Sequence, residues 1–138
     1  MELRLISTNN KRAKEDYMAT REFSNIEERL AFIEFRQQLL FDNDELSRIL
    51  FEYQITESES RDIMDLMDSF REKIDNGEKV HHGIFEQQMY NILPAHEGDY
   101  HFCEFIARAF WEDRRWEEVF PALYGDFPKY SHLFENKE

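Results

Sequence analysis

Glycine, proline and cysteine are all scarce in this sequence. The low glycine and proline counts limit the fold classes to be expected, and the low cysteine count limits the cellular compartment. Four Gly and three Pro in 138 residues disfavour a turn-rich sandwich or barrel and favour helices with short connections. A single cysteine, Cys103, cannot form an intrachain disulfide, which fits a reducing compartment. The longest apolar runs are broken by charges every few residues, so neither a membrane span nor a signal peptide is expected. We therefore predict a cytoplasmic protein without membrane contact.

Basic residues are also in short supply. The formal net charge is −13, and residues 1–22 carry five basic against four acidic side chains, which leaves 12 against 26 in the remainder. The part of the chain after residue 22 is acidic enough to repel the phosphate backbone of DNA or RNA, so direct binding to nucleic acid is not expected. The excess acid either serves solubility alone or forms a surface complementary to a basic protein partner.

Apolar periodicity predicts an all-α fold, a compact bundle of about five or six short-to-medium helices. Hydrophobic residues make up 41% of the chain and aromatic residues 15%, enough for a real core. We expect a flexible N-terminal arm over 1–23, a helical domain over 24–125 and an aromatic tail over 126–138. Capping boxes beginning at Ser24 and at Thr56 open the first and third helices, and Asn76-Gly77 ends the third. Asp99 caps the fifth helix, on which Phe105 is expected to face inward. The sixth helix is expected to include Trp116 and to end at Gly125.

The first predicted helix, over about 25–41, is apolar on two sides. One stripe runs along a narrow arc, and a second stripe lies roughly opposite to it. The first comprises Ile26, Leu30, Ile33 and Leu40, and the second comprises Phe32, Phe35 and Leu39. A helix of this kind is either central in the monomer or shared with a second subunit. We assign the second stripe as a partner-binding surface, and expect a homo-oligomer formed through this helix or through the aromatic end.

Two further surfaces are candidates for partner binding. On the third helix an acidic row lies opposite the apolar stripe and consists of Asp65, Asp68, Glu72 and Asp75. It is either a solvated face or a mimic of nucleic-acid phosphates that occupies a basic groove on another protein. In the aromatic tail, Tyr130 and Phe134 belong either to the core or to an interface, where aromatic residues are enriched.

Catalytic motifs are missing: there is no phosphate-binding loop, dinucleotide fingerprint, nucleophile elbow or Cys-x-x-Cys pair. The densest group of donors spans 96–104, where His96, His101 and Glu104 are the candidate metal ligands. Only His101 and Glu104 share a helical face, whereas zinc sites in proteins use three or four protein ligands. Cys103 lies on a Phe-rich helix and is interpreted as a small hydrophobe. We predict no enzyme activity, no cofactor and no metal.

The stretch from Ile26 to about Phe127 resembles the YhaI-type family, small helical bacterial proteins grouped as a domain of unknown function. The resemblance rests on Ile26-Glu-Glu-Arg-Leu30, on the segment from Ile49 to Glu59, on Asp99-x-His101, and on Trp116-Glu-Glu-Val-Phe120. It implies an all-α fold and a bacterial or phage origin. It implies no activity, ligand or site residue.

These features lead to a non-enzymatic protein–protein interaction or regulatory protein as the first hypothesis. An acidic inhibitor that imitates nucleic acid and blocks a basic DNA- or RNA-binding protein is the second hypothesis. A metal-dependent enzyme or sensor built on the segment 96–104 is the third.

Overall fold

The computed structural model describes residues 21–135, so residues 1–20 of the predicted arm and 136–138 of the predicted tail lie outside the described residues. The described chain is all-α, as predicted, and contains no strand. Six α-helices and two short 3-10 helices follow one another. They are α1 (Ile26–Asp42), α2 (Glu45–Glu52), α3 (Glu57–Asp75), α4 (His82–Ile92), a 3-10 helix (Pro94–His96), α5 (Tyr100–Glu112), α6 (Val119–Tyr124) and a second 3-10 helix (Pro128–Leu133).

Polar side chains set most of the helix starts. Thr56 and Glu59 form the expected capping box at the start of α3, with Thr56 Oγ1 accepting from the Glu59 amide and Glu59 accepting from the Thr56 amide. Asp99 caps α5 as predicted. The prediction for α1 was wrong by one residue, because Asn25 and not Ser24 accepts the amide hydrogen bond from Glu28. Asn and Ser serve equally well as caps, so composition does not choose between these neighbours.

The core lies where α3, α4, α5 and α6 meet. Phe70 of α3 and Phe85 of α4 pack edge to face with ring centroids 5.3 Å apart, and both are fully buried. Helix α5 contributes the most buried residues because it contacts α2, α4 and α6. Phe105 was predicted to face inward from α5, but 43% of its surface is exposed.

Helix α1 lies at the side of this bundle and packs against α2 and α3. Its burial is therefore one-sided, with Phe32 and Leu39 as its buried residues. No helix of the described part is long and apolar enough to cross a membrane.

The loop between α5 and α6 has an unusual backbone that sequence periodicity did not reveal. The sixth helix was expected to include Trp116, but Trp116 and Arg114 both have positive φ, and α6 begins only at Val119. Side-chain contacts hold this conformation: Trp116 Nε1 donates to Asp68 of α3 at 2.7 Å, and its ring packs edge to face on Phe110.

Candidate interaction surface

The most unusual surface of the molecule is an exposed apolar face of α1. It lies opposite the Phe32 stripe, which was predicted to bind a partner. Five large side chains on or beside one stripe expose between about half and four fifths of their surface. These residues, called here the α1 apolar face, are Ile26 (60%), Leu30 (52%), Ile33 (48%), Leu40 (62%) and Phe41 (84%). Only three other large hydrophobic side chains of the described chain expose more than two fifths of their surface, and they lie on α4 and α5. A contiguous apolar patch of this kind marks an interaction site in soluble proteins.

The stripe of α1 that was predicted to bind a partner packs against the monomer core, and the other stripe is exposed. Phe32 is 3% exposed and Leu39 is 5% exposed, and Phe35 packs against the same core. The assignment of Phe32 and Leu39 to partner binding is therefore corrected, because they are covered within the monomer. Phe35 is only partly buried, and its assignment stays a prediction. Both stripes are similarly apolar, so periodicity alone does not show which one the rest of the bundle covers.

The α1 apolar face is bordered by charges of opposite sign. Glu27 and Glu34 lie along one edge, and Arg29 and Arg36 lie along the other, at 100° per residue. Arg36 is held by the monomer: its Nη1 donates to the Phe51 carbonyl at 2.9 Å, and burial lowers its pKa. Among the described residues, Glu27, Arg29 and Glu34 form no ion pair or side-chain hydrogen bond. Three charged groups beside the apolar face are thus available to another molecule.

The acidic row of α3 is exposed, as a helix face opposite the core must be. One of its members is engaged, because Asp68 accepts the hydrogen bond from the Trp116 indole. Arg71, which lies beside the row, binds Glu118 with two hydrogen bonds, and this contact raises the pKa of Arg71 and lowers that of Glu118. Asp68 and Arg71 therefore anchor the loop before α6. All four carboxylates of the row stay exposed, and that of Asp68 is fixed in place by its hydrogen bond.

The aromatic C-terminal segment belongs to the core. Tyr130 is 5% exposed, and its hydroxyl donates to Glu104 at 2.7 Å. Phe134 is half-buried and lies 5.3 Å from the Trp111 ring, centroid to centroid. The sequence left these two residues open between core and interface. Tyr130 belongs to the core, which corrects its assignment to partner binding, whereas the assignment of the partly exposed Phe134 stays a prediction. Residues 126–135 are accordingly part of the folded domain.

Glu104, which the sequence suggested only as a metal ligand, is a buried carboxylate. Only 1% of its side chain is exposed, and it accepts from Tyr130 while Lys129 Nζ lies 2.9 Å from its Oε1. Burial, together with this hydrogen bond, raises the pKa of Tyr130 to about 12. A buried carboxylate needs such partners, because the cost of desolvating an unpaired charge is large. The contacts of Glu104 with Tyr130 and Lys129 therefore connect the C-terminal segment to α5.

The candidate metal ligands do not converge. His96 Nε2 is 3.1 Å from the Tyr53 carbonyl, Glu104 points into the core, and His101 is exposed beside Tyr100. Within residues 21–135 the structure brings together no group of three or more His, Cys, Asp or Glu side chains that could hold a metal ion. Three or four converging ligands are what such a site requires.

Cys103 is not activated as a nucleophile. Its side chain is fully buried, and burial raises the pKa of the thiol to about 12. A reactive cysteine needs a lowered pKa and access to solvent. The thiol is therefore protonated at neutral pH and packs among the apolar residues of α5.

One cavity of about 620 Å³ lies between the start of α3 and the first 3-10 helix. Its lining is charged, but several of those charges are already used within the monomer. Arg21 donates to Glu59 and to the Gln54 carbonyl, and His96 bonds to the Tyr53 carbonyl. Asp99, also in the lining, caps α5. Arg21, Glu59, His96 and Asp99 are thus engaged within the monomer.

Comparison of the chain with family models, with curated proteins and with solved structures finds no match. The resemblance to the YhaI-type family accordingly stays a prediction.

Proposed function

We propose that this chain is a non-enzymatic interaction protein of bacterial or phage cytoplasm, and that it associates with copies of itself through the α1 apolar face. One observation carries the proposal: five large apolar side chains stand exposed on one helix face while the opposite face of the same helix is packed. Apolar area is the main source of free energy in protein association. A regulatory role would then depend on what the assembled copies bind.

The size of the face supports association. From the exposed fractions, these side chains hold on the order of 500 Å² of apolar surface, below the roughly 800 Å² per partner of a standard interface. Bordering polar residues would supply the remainder. An area of this size lies within the about 300–600 Å² of the largest patch on a typical monomer, and such patches are often functional.

Self-association is preferred over a nucleic-acid or membrane partner for reasons of charge and shape. A net charge of −13 repels phosphates and anionic lipid surfaces; it also repels a second copy, and burial of the apolar face is what offsets that repulsion between copies. A helix face with both acidic and basic borders suits another surface of the same kind, and most soluble oligomers are built from identical subunits.

A matched pair of substitutions tests the proposal. Ile33→Glu places a charge in the middle of the α1 apolar face, and Ile84→Glu places the same charge at a similarly exposed position on α4, 54% against 48%. We expect Ile33→Glu to convert the assembly to monomers in size-exclusion chromatography with light scattering, and Ile84→Glu to leave the mass unchanged. Equal masses for the wild type and Ile33→Glu would reject the α1 apolar face as the contact.

A further inference from the structure

We infer that copies of this chain pack α1 against α1 in parallel and in register, an inference that rests on the proposed function and specifies its geometry. The occupant of the α1 apolar face is therefore the same face of a second copy. Three features of α1 carry the inference: the spacing of the apolar residues, the sign of the charges along each edge, and the single polar residue in the stripe.

The spacing follows the repeat of a coiled coil. Steps of four, three, four and three residues connect the positions 26, 30, 33, 37 and 40. This alternation keeps one seam of a helix facing a partner helix over two heptads, with Leu30 at an a position and Ile26, Ile33 and Leu40 at d positions. The repeat coincides with the exposed face, whereas the packed residues Phe32 and Leu39 fall at outer positions of the heptad. The seam is thus separate from the contacts that fold the monomer.

The charges decide the direction of pairing. Arg29 and Arg36 occupy the g positions along one edge, and Glu27 and Glu34 occupy the e positions along the other. In a parallel pair the g edge of one copy faces the e edge of the next, which brings Arg29 to Glu34 of the neighbouring copy. In an antiparallel pair each edge faces its own kind, so arginine would meet arginine and glutamate would meet glutamate. Charges at these positions set orientation in coiled coils.

The polar residue sets the register. Gln37 is the only polar side chain in the seam, at an a position. Parallel copies in register place Gln37 opposite Gln37, where the two amides can donate to and accept from each other. An antiparallel arrangement centred on Ile33 would place Gln37 against the region of Arg29 and Leu30 instead. A lone polar residue at an a position specifies alignment in this way, at some cost in stability.

Parallel pairing is favoured in the same way for two, three or four copies, because the g edge of each copy always faces the e edge of its neighbour. Leu at a with Ile at d favours more than two strands. Phe41, the most exposed residue of the face, lies at an e position beside the seam. It widens the apolar strip, which also favours more than two strands.

Cysteine cross-linking of the full-length chain tests alignment and self-contact separately. Ile33→Cys reports a parallel pair in register or an antiparallel pair centred on this residue. Gln37→Cys reports parallel alignment alone. Gln38→Cys is the matched control, since the neighbouring residue points away from the seam, and the wild type, whose one cysteine is buried, is the background.

Under mild oxidation we expect both Ile33→Cys and Gln37→Cys to form covalent dimers in high yield, and the control and wild type to remain monomeric on denaturing gels. Cross-linking by Ile33→Cys without Gln37→Cys would overturn parallel alignment and leave the proposed function standing. Cross-linking by neither would overturn parallel alignment, and together with a monomeric mass in light scattering it would overturn the proposed function as well.

A charge swap provides the second test. Arg29→Glu or Glu34→Arg alone replaces attraction by repulsion in each Arg29–Glu34 pair between neighbouring copies, so the dissociation constant should rise on the order of ten-fold at low salt. The double variant restores opposite charges and should return to within about three-fold of wild type. In an antiparallel assembly Arg29→Glu would remove a repulsion between arginines and strengthen association, which would contradict the inference.

Discussion

Two adjacent leucines of α1 allow the orientation of this helix to be measured directly. Leu39 is 5% exposed and faces the core, while Leu40 is 62% exposed and belongs to the α1 apolar face. Both are interior to α1, so replacing either by alanine changes the intrinsic helix propensity by the same small amount. Any difference between Leu39→Ala and Leu40→Ala in the free energy of unfolding therefore reports burial.

The magnitudes follow from the exposed fractions. Leu39→Ala removes buried methyl groups and leaves a cavity, for which about 3 kcal/mol is expected within the usual range of 2–5 kcal/mol. Leu40→Ala removes mostly hydrated surface and should lower the free energy of unfolding of the monomer by about 0.5 kcal/mol or less. For a chain of this length the first change corresponds to a fall in Tm of roughly 10 °C.

Urea unfolding followed by circular dichroism measures both variants, at a protein concentration low enough for the wild type to be monomeric. Repeating the experiment at high concentration provides the control, because Leu40→Ala should then lose stability that depends on association. If Leu40→Ala cost as much as Leu39→Ala in dilute solution, the assignment of the two faces of α1 would be refuted.

Three further predictions concern the packed body. Lys129→Met removes the cation beside the buried Glu104 carboxylate and should lower the free energy of unfolding by about 2 kcal/mol. In a Glu104→Gln background the same substitution should cost less than half of that, and equal costs in the two backgrounds would show that the two residues are not coupled. Folding raises the pKa of Cys103 from 9.0 to about 12. Above pH 9 the unfolded chain loses the thiol proton and the folded chain keeps it, so the free energy of unfolding falls as the pH rises towards 12. Between pH 9.5 and 11, Cys103→Ala should therefore lose stability more slowly than wild type, by up to about 1.4 kcal/mol per pH unit, and parallel curves would contradict this. Asp68→Ala removes the acceptor of an indole hydrogen bond and should cost about 1 kcal/mol, whereas Asp65→Ala on the same exposed row should stay within about 0.5 kcal/mol.

Local signals in the sequence were enough for most of the fold. The capping box at Thr56, the cap at Asp99 and the stop at Asn76-Gly77 each depend on residues within one turn of the helix end, and the structure has all three. Such interactions are encoded by neighbours in the sequence and need no tertiary information. The all-α class follows from the same signals.

The errors arise where long-range contacts decide. The stripe through Ile26 and the stripe through Phe32 are both apolar, and only the positions of α2 and α3 determine which is buried. Trp116 was assigned to a helix, but its hydrogen bond to Asp68, 48 residues away, accompanies a left-handed backbone. Burial of Glu104 likewise depends on Lys129 and Tyr130 from a distant part of the chain. A charged residue on an apolar helix face was the one available signal for this pair.

Sedimentation equilibrium of the unmodified chain over a wide range of concentration tests the central claim most directly. The account predicts that the mass rises from the 16.9 kDa of one chain to a limiting whole-number multiple of that mass, at least two, as concentration increases. A mass of 16.9 kDa at every concentration would contradict self-association through the α1 apolar face.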